Sequence, residues 1–125
     1  MDIALVVDDH PINRLLIQSM LSKDGWQVVE ADSAAGAMTL LTEGLRPTVI
    51  FMDIRMPNCN GFEATKLIRA WEAANGIHPI PIIALTADTQ EDTPSRAMDA
   101  GMNGYVSKPV TLVQIRAALT NALLQ

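Results

Sequence analysis

The chain has 125 residues, 49% of them hydrophobic and 18% charged, and a net charge of −5. This length and composition fit one globular domain, and the acidic balance argues against a nucleic-acid surface, which needs a basic stripe. Cys59 is the single cysteine, which excludes an internal disulfide. No apolar run approaches the roughly 18 residues of a membrane span. We therefore expect one cytoplasmic domain over residues 1–125, in keeping with a piece excised from a longer protein.

Short apolar runs alternate with stretches of helical periodicity along the chain. Continuous apolar runs of this length are typical of strands that are buried on both faces. The predicted strands are Ile3–Val7, Gln27–Ala31, Thr48–Asp53, Ile80–Leu85 and Gly104–Ser107. Glycines after the periodic stretches and polar residues before them mark helix ends. The predicted helices run from Pro11 to before Gly25, over 34–44 after Ser33, from Gly61 to about Asn75, over 94–100, and after Thr111 along Leu112, Ile115, Leu119 and Leu123.

The fourth helix is predicted to be short. Pro94 fits only the first turn of a helix, with Thr93 as its N-cap. The residues between the fourth strand and Pro94 are therefore expected to form a long and mobile loop. We expect this loop to leave the surface behind Thr86 mobile.

Strands that alternate with helices predict a parallel sheet covered by helices on both faces. In such sheets ligands bind beyond the carboxyl ends of the strands. The residues at those ends are the pair Asp8 and Asp9, then Asp53, Thr86 and Lys108. Each falls at the end of a predicted strand, which makes the joint pattern far more specific than any single member.

Three carboxylates at one edge of a sheet repel one another unless cations neutralise them. Lys108 supplies one positive charge, and oxygen ligands select a hard divalent ion such as Mg²⁺, with Mn²⁺ as a substitute. A carboxylate flanked by such an ion and an ammonium group can attack a phosphoryl donor. The residues alone thus indicate Mg²⁺-assisted phosphoryl transfer to an aspartate.

Four segments resemble the receiver domains of two-component response regulators and hybrid histidine kinases. They are Val-Val-Asp-Asp-His-Pro-Ile-Asn-Arg (6–14), Phe-Met-Asp-Ile-Arg-Met-Pro (51–57), Ile-Ile-Ala-Leu-Thr-Ala (82–87) and Gly-Met-Asn-Gly-Tyr-Val-Ser-Lys-Pro-Val (101–110). The resemblance covers residues 3–124, and the wording of the motifs is most similar to receivers of hybrid kinases. It implies a flavodoxin-like (βα)5 fold with five parallel strands in the order 2-1-3-4-5.

The resemblance also implies a role for each site residue. Asp53 would be the phosphoacceptor, and Lys108 and Thr86 would contact the phosphoryl group. Asp8, Asp9 and Asp53 would hold Mg²⁺ together with the backbone carbonyl of Arg55. Thr86 would turn inward on phosphorylation and Tyr105 would follow as the aromatic switch. The loop before the fourth helix would become ordered on phosphorylation or partner binding. The donor would be a histidine kinase or a histidine phosphotransfer domain, without direct contact to nucleic acid or membrane.

Two positions depart from the family pattern. His10 follows the acid pair where many relatives carry Asn or Glu, and we expect a solvent-facing imidazole there. Arg55 lies two residues after Asp53, and its side chain is expected either to face the mouth of the site or to be an ordinary solvated arginine.

Three rival functions remain open. An aspartyl-phosphate phosphohydrolase would generally carry a second acid at the position of Arg55, so turnover of a small molecule is not expected beyond self-phosphorylation and dephosphorylation. A docking module that has lost phosphorylation would not need the complete set of site residues. A flavodoxin-like nucleotide binder would need a glycine-rich phosphate loop after the first strand, and none follows it.

Overall fold

A computed structural model describes residues 2–87 and 93–124. Its elements alternate strictly between strand and helix. In chain order they are β1 (Ile3–Val7), α1 (Pro11–Lys23), β2 (Gln27–Ala31), α2 (Ala34–Thr42), β3 (Val49–Asp53), α3 (Gly61–Asn75), β4 (Ile82–Thr86), α4 (Thr93–Ala100), β5 (Gly104–Ser107) and α5 (Leu112–Leu123).

The strands form one parallel sheet in the order β2-β1-β3-β4-β5, which confirms the predicted architecture. Each crossover between parallel strands is made by a helix. The register aligns the upper ends of neighbouring strands, with Val7 beside Met52, Asp53 beside Leu85, and Thr86 beside Ser107. The residues that follow β1, β3 and β5 therefore emerge at one edge.

Alternation along each strand divides the core into two layers. Leu5, Ile50 and Ile82 face α2, α3 and α4. Their neighbours Val6 and Phe51 face the layer of α1 and α5. Because all of these side chains are fully buried, a shift of one residue in register would exchange the two layers. Burial on both sides fixes the sheet, and with it the positions of the strand ends.

The helix signals read from the sequence correspond to observed caps. Ser33 accepts a hydrogen bond from the amide of Gly36, and Thr111 forms a capping box with Gln114 at the start of α5. Asn60 and Glu63 form a second capping box at the start of α3. These caps satisfy amide groups that the first turn of a helix leaves unpaired.

Four elements differ in their bounds from the sequence-based expectations. The fourth helix begins at Thr93, one residue before its expected start, so Thr93 lies inside the helix. The helix expected over 34–44 ends at Thr42, and β3 begins at Val49 instead of Thr48. The strand expected over Ile80–Leu85 is instead Ile82–Thr86, because the amide of Ile80 donates to the carboxylate of Glu72 at 2.7 Å and leaves the ladder.

The short fourth helix is confirmed by α4, which covers Thr93–Ala100. The mobile loop predicted before it falls on residues 88–92, which lie outside the described part of the chain. Within residues 2–87 and 93–124, no helix combines the length and apolar character needed to cross a lipid bilayer.

Candidate functional site

The upper edge of the sheet gathers three carboxylates from two adjacent strands. Asp8 and Asp9 follow β1, and Asp53 is the last residue of β3. One ligand oxygen from each lies within 4.8 Å of the others. The structure therefore brings these three predicted site residues close together.

Asp8 is fully buried and both of its carboxylate oxygens have partners. One oxygen accepts a hydrogen bond from the backbone amide of His10 at 2.9 Å, and the other accepts from Nζ of Lys108 at 3.3 Å. Its backbone amide donates to the carbonyl of Ala31 at the end of β2. A buried carboxylate with this many partners holds a fixed orientation.

Lys108 is the cation of the site. Its Nζ lies 3.1 Å from Oδ1 of Asp53, so that one ammonium group bridges two buried carboxylates. The backbone amide of Lys108 donates to the carbonyl of Thr86 at 2.7 Å, and the peptide bond from Lys108 to Pro109 is cis. The hydrogen bond to the end of β4 fixes the backbone position from which the Lys108 side chain extends towards Asp8 and Asp53.

Asp53 is strongly perturbed by its surroundings. Burial and the neighbouring Asp8 carboxylate raise the pKa of Asp53 to about 6, against the opposing effect of Lys108 and of the Arg55 amide. One ammonium group therefore does not compensate two buried carboxylates. The arrangement favours a further cation.

The chemistry of the donors fits Mg²⁺. Oδ1 of Asp9 is buried and has no hydrogen-bond partner among the residues that the structure describes. The nearest imidazole nitrogen, Nε2 of His10, is 4.0 Å away on a largely exposed side chain, as expected for His10. Buried carboxylate oxygens without partners are costly, and a hard divalent cation would satisfy this one.

The other predicted site residues lie around this centre. Thr86 is buried at the end of β4, next to Ser107. Tyr105 lies in β5 with 48% of its surface exposed, on the strand that leads to Lys108. Arg55 is exposed in the loop after Asp53, and its amide donates to Oδ1 of Asp53 at 3.4 Å.

Two residues with a part in the site escape a sequence-based analysis. A Cβ at Gly61 would lie 2.8 Å from Cα of Ile54 and closer still to the carbonyl oxygen of Asp53, so only glycine lets α3 begin there. Arg14, in α1, donates to the main-chain carbonyl of Asp8 at 2.7 Å. Both contacts depend on tertiary distances, and the sequence offers only the positions of the residues near the motifs.

This fold with acids and a lysine at the strand ends defines a class of protein. Residues 4–120 match the family model described as response regulator receiver domain. The chain belongs to this family, which confirms the resemblance seen in the sequence.

Curated relatives include kinases much longer than this chain. The hybrid signal transduction histidine kinase E of Dictyostelium discoideum is 39% identical over 93% of this chain. The sensor protein GacS of Pseudomonas syringae pv. syringae is 36% identical over 89% of it. The chain spans 7% of the first relative and 12% of the second.

Solved structures that are similar to this chain include receiver domains of the same family. The receiver domain of a Pseudomonas aeruginosa PAO1 sensor histidine kinase, with a magnesium ion coordinated in its active site cleft, is 32% identical with a TM-score of 0.84. The match covers 99% of this chain and 98% of that one. The receiver domain of Saccharomyces cerevisiae Ssk1, co-crystallised with the histidine phosphotransfer protein Ypd1, is 32% identical with a TM-score of 0.89. This second match covers 98% of this chain and 89% of that one.

Proposed function

We propose that the chain accepts a phosphoryl group from a phosphohistidine of a partner protein onto Asp53. The observation that carries the proposal is the position of Asp53, which shares Lys108 with Asp8 and lies within ligand distance of Asp9. Asp53 thus has the ammonium group of Lys108 beside it, and the neighbouring carboxylates can bind a divalent cation as well. Membership of the receiver-domain family supports this role.

The chemical step is a displacement at phosphorus. A carboxylate oxygen of Asp53 forms the new O–P bond while the P–N bond of the phosphohistidine breaks. The bonding pair leaves with the imidazole of the donor, and the product is an acylphosphate. Lys108 stays within reach of the transferred group and offsets its negative charge.

Asp8, Asp9, Asp53 and the backbone carbonyl of Arg55 would hold Mg²⁺, with Mn²⁺ as a substitute. When bound, the ion supplies positive charge to the transferring phosphoryl oxygens. Oδ1 of Asp9 accepts no hydrogen bond from the described residues, so it can bind the ion directly. Each oxygen of Asp8 already accepts one hydrogen bond, so Asp8 would bind the ion through water and would also hold Lys108 in place.

Phosphorylation adds about −1.5 to −2 charges if the acylphosphate resembles other phosphoryl groups. The Thr86 hydroxyl would turn towards the new oxygens and Tyr105 would fill the space that it leaves. The surface of α4, β5 and α5 would then repack. Differential contacts in the two states must supply the free energy of this switch.

The partner would dock on an apolar patch of α1. Ile12, Leu15 and Leu16 are exposed on this helix, which begins directly after the acid pair. Leu16 also lines a small cleft with Lys108 and Pro109, so the patch reaches the site. The Ssk1 receiver was solved with a histidine phosphotransfer protein, which supports a partner of that kind here.

The relatives support a longer parent protein. Because the chain spans only a small part of the matched kinases, we infer a receiver that works within a hybrid histidine kinase on the cytoplasmic side of the membrane. The kinase activity itself would then belong to other parts of that protein.

The decisive experiment is intact mass after incubation with acetyl phosphate and Mg²⁺. Wild type should gain one phosphate in a reaction that EDTA blocks, and Asp53→Asn should gain none. Asp99→Asn, which changes an exposed acid on α4, is the matched control and should behave as wild type. Phosphate release is followed in parallel so that rapid hydrolysis is not mistaken for lack of reaction. If wild type shows neither a phosphate adduct nor phosphate release, the phosphorylation proposal fails and the chain is a docking module.

A further inference from the structure

Arg14 lies beside the acid pair without contacting its carboxylates. Its Nη1 donates to the main-chain carbonyl of Asp8 at 2.7 Å, and its Nε donates to the carboxylate of Glu30 at 3.2 Å. Its side chain is only 18% exposed. The guanidinium thus joins β2 to the short connection between β1 and α1.

The position of Arg14 disagrees with the usual preferences at the start of a helix. A cation in the first turn opposes the helix dipole, which favours acids there. The first turn of α1 contains no acid, and the N-cap residue His10 makes no side-chain cap bond. Local preferences that are broken in this way are expected at functional sites. The hydrogen bond to the main-chain carbonyl of Asp8 offsets the unfavourable interaction of Arg14 with the helix dipole.

The connection between β1 and α1 consists of Asp8, Asp9 and His10. The side chain of Arg14 fixes it at Asp8, and the first turn of the helix fixes it at His10, whose carbonyl accepts the backbone amide of residue 14 at 3.2 Å. Asp9 lies between these two points. The direction of its unpartnered oxygen therefore depends on a turn whose shape Arg14 constrains.

We propose that Arg14 is a positioning residue that holds the Asp9 carboxylate ready for Mg²⁺. The proposal rests on the metal site described under the proposed function. It predicts that loss of Arg14 weakens Mg²⁺ binding. A purely electrostatic effect has the opposite sign, since removal of a positive charge near a cation site strengthens binding of the cation. The sign of the change in affinity therefore separates the two explanations.

The experiment measures the Kd of Mg²⁺ by calorimetric titration for wild type, Arg14→Met, Arg14→Lys and Arg14→Gln. Arg14→Met keeps the apolar stem and should raise the Kd about tenfold, as for other residues that orient metal ligands. Arg14→Lys retains a donor and should recover most of the affinity. Arg14→Gln removes the charge but retains an N–H donor on a shorter side chain, so its Kd should lie between those of wild type and Arg14→Met.

Arg116→Met is the matched control. Arg116 makes an equivalent two-bond contact with Asp24 at the far end of α1, and its loss should leave the Kd unchanged. Urea unfolding without Mg²⁺ shows whether each variant is folded. If Arg14→Met is not, Arg14→Gln decides the question, because it also lacks the charge and should still bind Mg²⁺ more weakly than wild type.

The proposal is overturned if folded Arg14→Met binds Mg²⁺ as tightly as wild type or more tightly. It is also overturned if Arg14→Lys binds Mg²⁺ as weakly as Arg14→Met, because the donor that lysine retains would then not restore the affinity. Failure of wild type itself to bind Mg²⁺ would instead overturn the proposed metal site, and the positioning role with it.

Discussion

Asp53 is held in a place that disfavours its charge. It is almost fully buried, and the carboxylate of Asp8 is its neighbour through the shared Lys108. In the absence of a divalent ion, the folded state therefore carries an uncompensated repulsion at neutral pH. A bound divalent cation would relieve this repulsion, so the same arrangement favours cation binding.

We expect Asp53→Asn to stabilise the metal-free protein at pH 7.5 and to have little effect at pH 4. The pKa of Asp53 is raised from 3.8 to about 6, so the folded state binds more protons than the unfolded state in this range. Stability is therefore lost as pH rises from about 4 to 6, and the asparagine variant escapes that loss. The gain above pH 7 is on the order of 1–3 kcal/mol, from about 1.4 kcal/mol for each pKa unit.

Urea unfolding in EDTA at the two pH values measures this difference. Asp2→Asn, which alters an exposed acid outside the site, serves as the control and should show no such pH dependence. Equal effects of Asp53→Asn at both pH values would show that the carboxyl group is not perturbed as described.

We expect Lys108→Met to destabilise the metal-free protein at pH 7.5 by about 2–4 kcal/mol, because two buried carboxylates lose their shared cation. The loss should be smaller in the background of Asp53→Asn, where one of those charges is already absent. A double-mutant cycle measures this coupling directly. Strict additivity of the two changes would contradict the bridging role of Lys108.

The sequence predicts which residues lie in the site better than it predicts the hydrogen bonds between them. Asp8, Asp9, Asp53 and Lys108 were identifiable because strand ends in a parallel sheet converge, whatever the details of packing. Which carboxylate keeps an unpartnered oxygen depends on the bonds of His10 and Lys108 to Asp8. Such contacts, like that of Arg14, join residues whose separation in space no local pattern encodes.

At the scale of elements, β4 shows how a distant side chain sets a boundary. Glu72 is buried in α3, pairs with Arg69 at 2.8 Å and accepts the amide of Ile80. Arg69 also donates to the carbonyl of Gly101 at 3.0 Å and 2.9 Å, which ties α3 to the connection between α4 and β5. The apolar pattern alone placed the strand two residues too early. The capped helices, in contrast, follow from signals within a few residues of each end.

We expect Gly61→Ala to destabilise the protein by about 1–3 kcal/mol, the usual cost of overpacking. The added methyl group would collide with the backbone at the end of β3, so α3 must move away from Asp53. Urea unfolding should show the loss of stability, and the same variant should show weaker binding of Mg²⁺ if the collision distorts the site.

Gly104→Ala is the control for this substitution. A Cβ at Gly104 in β5 would meet no atom within 4 Å, and alanine is at least as well tolerated as glycine in a strand. We expect its stability to equal or slightly exceed that of wild type. Equal effects at the two glycines would mean that the close approach at Gly61 does not matter.

At the scale of the whole molecule, most of the fold is predictable from the sequence. Five apolar runs and the helical stretches between them define a covered parallel sheet. The strand order came from the family resemblance, since periodicity does not say which strands are neighbours. The structure adds the division of each strand between two core layers.

We expect Leu15→Asp to slow phosphoryl transfer from a histidine phosphotransfer protein at least about tenfold, with acetyl phosphate as donor unaffected. A charge in an apolar docking patch costs affinity for the partner only. Leu15 is 61% exposed in α1, and Leu67, 52% exposed in α3 on the opposite layer, provides the matched control Leu67→Asp. Rates from labelled donor protein measure the effect. Similar slowing by both variants, or slowing with acetyl phosphate, would remove α1 as the docking surface.

The bridge made by Lys108 has a consequence for the order in which the protein is made. Its partners Asp8 and Asp53 lie 100 and 55 positions earlier in the chain. During synthesis, which proceeds from the N-terminus, the acids emerge long before the lysine that links them. A nascent chain that lacks β5 therefore carries Asp53 without its cation. The proposed phosphoacceptor would become competent only after Lys108 has been made, so a nascent chain that ends before β5 would not take up phosphoryl groups.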